Sequence, residues 1–484
     1  MKAAVIYPPL LEGEKYPLLG QNRQFRYSST DTVRIFPLVP ASAATMVSKC
    51  YEILYLDGIN RRLSMEDFMR SLCDYKPDIV MIETKVPVIR KHWNFINQLK
   101  KEIDVKVALV GDHVSFMPEE SMLNSNVDYV LTGGDYDVLF LNVCQHIDSG
   151  VDLMNGIWYR NGQSIGNTGT FQLVDDLDSI PFIDRDLTDW ETYGEAYLYR
   201  PVMYILSGRG CGRPFGPGVC TFCVWQHALW RRTARLRSPA SVASEIQQVV
   251  ERYGVVELFD DNESGAIWSK PWLEQFYLQM KARDLIGKVL ISSNASADAL
   301  DNATCELLEK IGYRLLKIGL ESGNDETLKR LAKRETVDQI SRGVKTAKDH
   351  GLRIHLTNMA GYPWETEEDE ERSREIAKEL VMYKTRFGDS LQASVMIPYP
   401  GTPMHRQGIK GNWLTVGQND YEKYDMSQPV MKCSYDAMQR CDDLWAIHRD
   451  PRFLLRSALT LRSRKDLSLA WRGVKSLRGH TRDF

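Results

Sequence analysis

The feature that most constrains the fold is a regular alternation of short apolar segments with helical stretches over residues 1–148. Strands that are separated by helices pair in parallel, and the helices then cover both faces of the sheet. We therefore predict a Rossmann-like, doubly wound α/β domain over residues 1–148. The predicted strands are Ala3–Tyr7, Glu52–Leu56, Ile79–Glu83, Val105–Val110 and Tyr129–Leu131.

A sheet of this kind binds its ligand beyond the carboxyl ends of its strands. No G-x-G-x-x-G sequence follows the first strand, which argues against a nicotinamide or flavin dinucleotide as that ligand. The candidate ligand-binding residues at the strand ends are Pro8, Thr84, Asp112, His113, Gly133 and Gly134.

The alternation of strands and helices stops after residue 148 and resumes near residue 200. We predict that residues 149–195 form a linker with a hairpin, because Arg160-Asn161-Gly162 is a hairpin-turn sequence. Residues 196–404 contain six β/α units, which predict a partial (β/α)6 barrel of the TIM type rather than a closed eight-stranded one. Residues 405–484 form a mostly helical, basic C-terminal cap. The predicted barrel strands are Val202–Leu206, Val255–Phe259, Val289–Ser292, Leu315–Leu320, Arg353–Met359 and Leu391–Ile397.

Charge and hydropathy exclude several classes of protein. The chain has 61 Lys and Arg against 64 Asp and Glu, a net charge of −3, so we expect no nucleic-acid partner. No apolar run approaches the ~20 residues of a membrane-spanning helix. The apolar N-terminal stretch is too short for a signal peptide, and we expect a cytoplasmic protein.

Three of the nine cysteines lie close together in the chain, in a loop that directly follows the first predicted barrel strand. Cys211, Cys220 and Cys223 are therefore expected at the catalytic face of the barrel, where they can bind one metal centre. A [4Fe–4S] cluster usually takes four thiolates, so three would leave one iron open for a small molecule. Zinc is the alternative, with His227 as the fourth ligand at C-x2-C-x3-H spacing.

On these residues the chain resembles radical S-adenosylmethionine (SAM) enzymes that carry an N-terminal domain of the cobalamin (B12)-binding type. The family signature is C-x3-C-x2-C with an aromatic residue before the last cysteine, here Phe222. The first spacing differs, because eight residues separate Cys211 from Cys220 and residues 212–217 look like an insertion. The resemblance implies a [4Fe–4S] cluster that cleaves SAM to a 5′-deoxyadenosyl radical, with electrons from a flavodoxin or ferredoxin.

The resemblance also assigns SAM contacts to polar residues at the ends of the later barrel strands. By position in the family pattern, the second strand end holds the methionine ammonium group, the third and fourth the ribose or carboxylate, and the last two the adenosine. The implied residues, in that order, are Asp260, Asp261 and Glu263; Ser292 and Asn294; Glu321; Gly361, Pro363 and Glu365; and Pro398 and Gly401.

Relatives of this type bind cobalamin in the N-terminal domain, and some ligate its cobalt through the histidine of a D-x-H-x-x-G motif. In this chain Asp112 and His113 are adjacent and the glycine is missing, so we interpret His113 as a loop residue rather than a cobalt ligand. Other relatives bind cobalamin without a protein histidine, and the resemblance therefore still implies this cofactor.

The resemblance predicts cobalamin-dependent C-methylation of an unactivated carbon in a lipid or natural-product substrate. The first alternative is a radical SAM enzyme that does not methylate and performs a rearrangement, dehydration, cyclisation or C–C bond formation. The second is a metal-stabilised binding or electron-transfer module. The sequence assigns no catalytic acid or base.

The C-terminal region adds two further hypotheses. Residues 449–484 contain ten Lys and Arg against three Asp and Glu, interleaved with apolar residues. They form either a solvated helical cap or a peripheral contact with anionic lipid. The segment from Tyr424 to Met431 is expected either to line the substrate cavity or to pack the cap onto the barrel.

Overall fold

The computed structural model describes residues 1–9, 34–211, 219–263 and 265–483. The insertion predicted at residues 212–217 lies outside the described residues. A mainly parallel sheet followed by a fully parallel one confirms the predicted α/β class.

The first sheet has seven strands in the order β2-β1-β3-β4-β5-β6-β7. Strands β1 to β5 run parallel, with the strand order of a doubly wound fold. The strands are β1 Lys2–Tyr7, β2 Glu52–Asp57, β3 Ile79–Thr84, β4 Lys106–Gly111, β5 Tyr129–Leu131, β6 Ile157–Asn161 and β7 Ser164–Asn167. The helices are α1 Leu38–Ser48, α2 Met65–Tyr75, α3 Ile89–Glu102, α4 Asp112–Phe116, α5 Pro118–Asn124 and α6 Tyr136–Ser149.

The predicted hairpin is present, and it belongs to the first sheet. Strand β6 pairs antiparallel with β5, and β7 pairs with β6. The described polar stretch that follows contains three short 3-10 turns, at Leu177–Ser179, Arg185–Leu187 and Trp190–Thr192. The segment 149–195 therefore contributes one hairpin to the first sheet and otherwise contains three short 3-10 turns, whereas the predicted domain boundaries stay a prediction.

The second sheet has six parallel strands in the order β15-β14-β13-β12-β11-β8, as an open partial barrel requires. Its strands are β8 Val202–Ile205, β11 Glu257–Asp260, β12 Leu290–Ala295, β13 Tyr313–Glu321, β14 Arg353–Ala360 and β15 Ser390–Val395. Its helices are α7 Val224–Ala228, α8 Pro239–Tyr253, α9 Gly265–Trp268, α10 Lys270–Ala282, α11 Asn302–Ile311, α12 Asp325–Arg330, α13 Val337–Asp349 and α14 Glu367–Met382. A separate antiparallel ribbon pairs β9 (Gly208–Arg209) with β10 (Arg235–Leu236).

Local sequence explains where the barrel helices begin. Thr336 and Thr366 each form a capping box with the residue three positions later, which satisfies two backbone N–H groups at the start of α13 and of α14. Ser238 caps α8, and Pro239 occupies its first position, where no N–H is needed.

The C-terminal region is helical, as predicted, and packs against the barrel core. No described helix is long and apolar enough to cross a membrane. The helices are α15 Pro403–Lys410, α16 Ala437–Trp445, α17 Pro451–Leu459 and α18 Arg464–Asp483.

A buried ion cluster joins the two sheets. The Arg209 guanidinium lies 2.7 Å from Asp135 Oδ1 and 2.6 Å from Asp137 Oδ2, and Arg235 lies 2.6 Å from Asp135 Oδ2. The aspartates begin α6 of the first sheet, and the arginines belong to the β9–β10 ribbon. Burial opposes ionisation of Asp135, but Arg209 and Arg235 outweigh it and hold its pKa below the ordinary value.

We predict that Arg209→Ala lowers the free energy of unfolding by about 3–5 kcal/mol, because it leaves the buried Asp137 carboxylate without its cation. Urea unfolding measures the change. Arg61→Ala is the matched control: its pair with Asp189 is 2.6 Å long but half exposed, and its loss should cost under about 1 kcal/mol. Equal losses for both variants would contradict this role of the buried cluster.

Candidate functional site

The cysteine loop is fixed by backbone hydrogen bonds from distant parts of the chain. The N–H of Thr221 donates to the carbonyl of Leu331 (2.8 Å), and the N–H of Met404 donates to the carbonyl of Thr221 (3.1 Å). Cys220 and Cys223 therefore sit between the end of α12 and the start of α15, at the carboxyl end of the barrel.

The three thiols are neighbours. Burial raises the pKa of the Cys223 thiol, and the nearby Cys220 and Cys211 act in the same direction. All three residues are half-buried. Among the described residues, no three Cys, His, Asp or Glu side chains lie close enough together to bind one metal ion. A [4Fe–4S] cluster binds each thiolate to a separate iron, so its ligands need not be that close. The donor set fits such a cluster.

The zinc alternative needs His227 as a ligand, and the structure gives this side chain another partner. Its Nε2 lies 3.3 Å from the backbone carbonyl oxygen of Cys220. Burial and the neighbouring Arg232 lower the pKa of His227 to about 4. The imidazole is therefore neutral and bonded to the loop backbone.

Two of the three predicted carboxylates after β11 hold the cysteine loop in place. Asp260 accepts hydrogen bonds from the backbone N–H (2.9 Å) and hydroxyl (2.5 Å) of Ser207. Glu263 accepts from the N–H of Gly210 (2.9 Å) and from the indole N–H of Trp230 (2.8 Å). Gly210 precedes Cys211, so Glu263 fixes the start of the loop.

The third carboxylate, Asp261, lies in the barrel with Asn294. The Asn294 amide nitrogen is 3.4 Å from Asp261 Oδ1. Burial raises the pKa of Asp261 to about 8; Lys317 opposes the rise, and Glu195 and Glu263 add to it. A cationic ligand at this position would stabilise the ionised form of Asp261.

Ser292 lies deeper in the barrel than Asn294. Its hydroxyl donates to Glu257, which is itself paired with Arg314 (2.7 Å). This arrangement commits the Ser292 hydroxyl to a buried ion pair, and the structure does not bring it together with Asp261. Its predicted role in SAM binding stays a prediction.

Glu321, at the end of β13, faces a lysine that the sequence did not identify. Lys333 Nζ lies 3.5 Å from Glu321 Oε1 and 3.3 Å from Glu335 Oε2. Lys333 also interacts electrostatically with Cys220. Lys333 therefore connects the predicted ribose-binding carboxylate with the cysteine loop, although no local motif marks it.

The turn that contains Gly361, Pro363 and Glu365 is held by a tyrosine from the C-terminal region. The Tyr435 hydroxyl accepts from the N–H of Gly361 (2.8 Å) and lies 2.9 Å from Glu370 Oε1. The Ser322 hydroxyl donates to Glu365 Oε1 (2.6 Å). Burial, followed by the nearby Glu365, raises the pKa of Glu370 to about 8, so the Glu365–Glu370 pair retains a proton at neutral pH.

A small cavity of about 60 Å³ adjoins Cys223 and is mostly apolar. Met426 lines it, which agrees with the cavity hypothesis for that segment, whereas Tyr424 is fully buried in the core. The residues that form it are Phe222, Cys223, Val224, Trp225, Met359, Ser394, Val395, Ile397, Tyr399 and Met426.

The turn of Pro398 and Gly401 meets the N-terminal domain. Gly401 has φ 90°, and a Cβ atom there would lie 2.3 Å from the ring of Phe116 in α4. Only glycine tolerates both this backbone conformation and this close approach. The predicted adenine-side turn therefore lies against the carboxyl edge of the first sheet.

Several residues predicted at this edge are already bound to protein partners. Thr84 Oγ1 is 2.8 Å from His92 Nδ1. A Cβ at Gly133 would meet the ring of Phe171 at 2.3 Å, and one at Gly134 would meet the ring of Trp230 at 2.0 Å. Pro8 and Asp112 are buried at the same edge. The edge therefore packs directly against the barrel.

His113 lies in the short helix α4, which corrects its interpretation as a loop residue. A backbone that continues from β4 directly into a helical turn places it there. Its Nε2 is 2.9 Å from Glu120 Oε2, and its ring packs edge-on against Tyr421 at 4.7 Å between centroids. The interpretation that His113 is not a cobalt ligand stays a prediction.

Comparison with known proteins identifies the barrel. Residues 205–376 match the model of the radical SAM superfamily. An uncharacterised methyltransferase of Pyrococcus horikoshii is 25% identical over 418 residues, which is 84% of this chain and 85% of that protein. An anaerobic magnesium-protoporphyrin IX monomethyl ester cyclase of Rubrivivax gelatinosus is 26% identical, over 80% of this chain and 68% of the cyclase.

The fold as a whole also has a solved counterpart. The radical SAM methyltransferase TsrM from Kitasatospora setae, whose structure contains cobalamin and a [4Fe–4S] cluster, superposes with a TM-score of 0.66 at 15% identity. The superposition covers 99% of both chains, so it includes both sheets. Residues 205–376 therefore have the sequence pattern of the radical SAM superfamily, and the chain as a whole has the fold of TsrM.

Proposed function

We propose that this enzyme reductively cleaves SAM at a [4Fe–4S] cluster held by Cys211, Cys220 and Cys223, for cobalamin-dependent methylation of an unactivated carbon. The observation that carries the proposal is the proximity of the three thiols at the carboxyl end of the barrel, where the Gly401 turn packs against Phe116 of α4. When bound, the cluster and SAM supply a 5′-deoxyadenosyl radical, and cobalamin supplies a methyl group.

In this proposal the strand-end residues divide into two groups. Asp260 and Glu263 hold the cysteine loop through Ser207 and Gly210. Asp261 binds the methionine ammonium group of SAM. The positive charge of that group lowers the pKa of Asp261, which burial raises, and so favours the ionised carboxylate. A polar ligand is also supported by Thr221 Oγ1 and Asn262 Oδ1, which are buried without a hydrogen-bond partner among the described residues.

The remaining predicted SAM contacts orient the nucleoside. Glu321 binds the ribose, and Lys333 holds the carboxylate of Glu321 in position. The turn of Gly361, Pro363 and Glu365 binds the adenosine, with Pro398 and Gly401 on the adenine side. The apolar lining by Phe222, Met359 and Met426 keeps water away from the reacting carbon.

In this proposal cobalamin binds between the carboxyl edge of the first sheet and the cysteine loop, and the contacts of Gly133 with Phe171 and of Gly134 with Trp230 must open to admit it. The TsrM structure, which has the same fold, contains this cofactor. Since His113 is bonded to Glu120, we do not assign it to the cobalt, and Pro8, Thr84, Asp112, Gly133 and Gly134 would contact the cofactor.

The substrate is a lipid or another natural product, because the cavity beside Cys223 is mostly apolar. The enzyme works in the cytoplasm with a flavodoxin or ferredoxin as electron donor. A second candidate function, radical chemistry without methyl transfer, is favoured by the similarity to the cyclase.

We predict about four iron atoms per chain after anaerobic purification, as one [4Fe–4S] cluster requires. Cys220→Ala should lose most of this iron and the absorbance near 400 nm. Cys433→Ala is the control: Cys433 is also half-buried, but its thiol bonds to the carbonyl of Tyr435 (3.1 Å) away from the loop. Zinc in place of iron would overturn the proposal.

We predict that turnover with a suitable substrate, reductant and cobalamin forms both S-adenosylhomocysteine and 5′-deoxyadenosine. The first product reports methyl transfer from SAM, and the second reports radical formation. Mass spectrometry of both nucleosides distinguishes the two candidate functions, because 5′-deoxyadenosine alone would favour the enzyme that does not methylate.

We predict that Tyr435→Phe raises the KM for SAM roughly tenfold and leaves the iron content and kcat nearly unchanged. The variant removes the acceptor of the buried Gly361 N–H, and an unsatisfied buried group costs about 1–3 kcal/mol. Tyr51→Phe, which removes a surface hydroxyl bonded to Asp148, is the control. An unchanged KM for Tyr435→Phe would show that this turn does not contribute to SAM binding.

A further inference from the structure

The last two described helices expose an unusual number of large apolar side chains. On α17, Leu455 and Leu459 are 62% and 64% exposed, and on α18 Leu467 and Trp471 are both 60% exposed. We call these four residues, together with Leu454 and Val474, the C-terminal apolar surface. Soluble proteins rarely gather large exposed apolar side chains in one place unless the place binds something.

The exposed residues follow the period of each helix. Leu455 and Leu459 are four residues apart, and Leu467, Trp471 and Val474 have the spacing i, i+4, i+7, which places each set on one helix face. Other faces hold the helices to the barrel, because Phe453 and Leu469 are buried. The C-terminal apolar surface therefore lies on helices whose other faces are packed against the barrel.

A groove of about 360 Å³ opens between these helices and the amino end of the barrel. Leu454 and Val474 line it and are themselves partly exposed, so the groove opens within the apolar surface. Its barrel side includes Tyr197 and His355, and its lining is almost entirely apolar. It lies at the end of the barrel opposite to the cysteine loop.

The charge around this surface is strongly positive. Residues 451–475 contain seven Lys and Arg and a single acidic residue, Asp466. Asp466 is buried, where it accepts hydrogen bonds from Tyr199 and from the backbone of Ser463 (2.8 Å). The exposed charges within residues 451–475 are therefore basic, in a protein whose net charge is −3.

We propose that the C-terminal apolar surface docks on an anionic lipid bilayer and that the groove takes one chain of a bilayer lipid. An apolar face surrounded by basic side chains is complementary to the interface of an anionic membrane. Leu455, Leu459 and Trp471 enter the interface, while Lys465 and Lys475 contact lipid headgroups. This binding does not depend on SAM chemistry.

Co-sedimentation of the full chain with vesicles tests the proposal. We expect binding to phosphatidylcholine vesicles that contain phosphatidylglycerol, weaker binding to phosphatidylcholine alone, and loss of most binding in high salt. Leu455→Glu with Trp471→Glu should weaken binding roughly tenfold or more, and Lys465→Glu with Lys475→Glu should also weaken it. Ala458→Trp, which fills the groove, should reduce the amount of lipid that co-purifies.

The controls are Leu123→Glu and Leu278→Glu, which change residues that are 68% and 52% exposed on α5 and α10. Circular dichroism and iron content verify that each variant is folded. Wild-type protein that stays in the supernatant with both vesicle types would overturn the proposal. So would self-association that the surface variants abolish, because the partner would then be a second copy of the chain.

Discussion

The arrangement of the molecule depends on the ion cluster of Arg209, Arg235, Asp135 and Asp137. Arg209 and Arg235 are directly paired across the β9–β10 ribbon, where two like charges would repel each other. The two aspartates at the start of α6 neutralise both arginines. The same ribbon closes the base of the cysteine loop, so one buried interaction fixes both the contact between the sheets and the position of the thiols.

The three carboxylates at the end of β11 have two different roles in this buried site. Asp260 and Glu263 are used to hold backbone, and Trp230 links Glu263 to Gly134 at the edge of the first sheet. Asp261 keeps a raised pKa because burial is only partly offset by Lys317. Asp260 and Glu263 therefore have structural roles, whereas Asp261 is the carboxylate that a cationic ligand would stabilise most. The three acidic residues look alike in the sequence, which does not reveal this difference.

Much of the fold could be predicted from the sequence, because parallel strands and their helices leave local patterns of apolar residues. The cysteine loop could be predicted for the same reason, since its spacing is local. Lys333 and Tyr435 could not: each reaches the site from a distant segment, and only the packing of α12 and of the C-terminal region brings them there. The turn sequence predicts the hairpin, but its pairing with β5 depends on long-range register that no turn sequence specifies. The sequence does not reveal the helical turn at His113, because a single turn of helix leaves no periodic pattern.

The β9–β10 ribbon explains how the enzyme accommodates eight residues between Cys211 and Cys220. The ribbon holds the two ends of an intervening segment of 25 residues at a fixed separation. Within it the N–H groups of Gly210 and Thr221 are bonded to Glu263 and Leu331, so the intervening stretch is ten residues long, and lengthening it from five to ten raises the loop-closure entropy cost by only about 0.6 kcal/mol. The spacing between the first two cysteines is therefore nearly neutral for stability, and loop length in this position is free to vary while the metal-binding end of the barrel keeps its geometry.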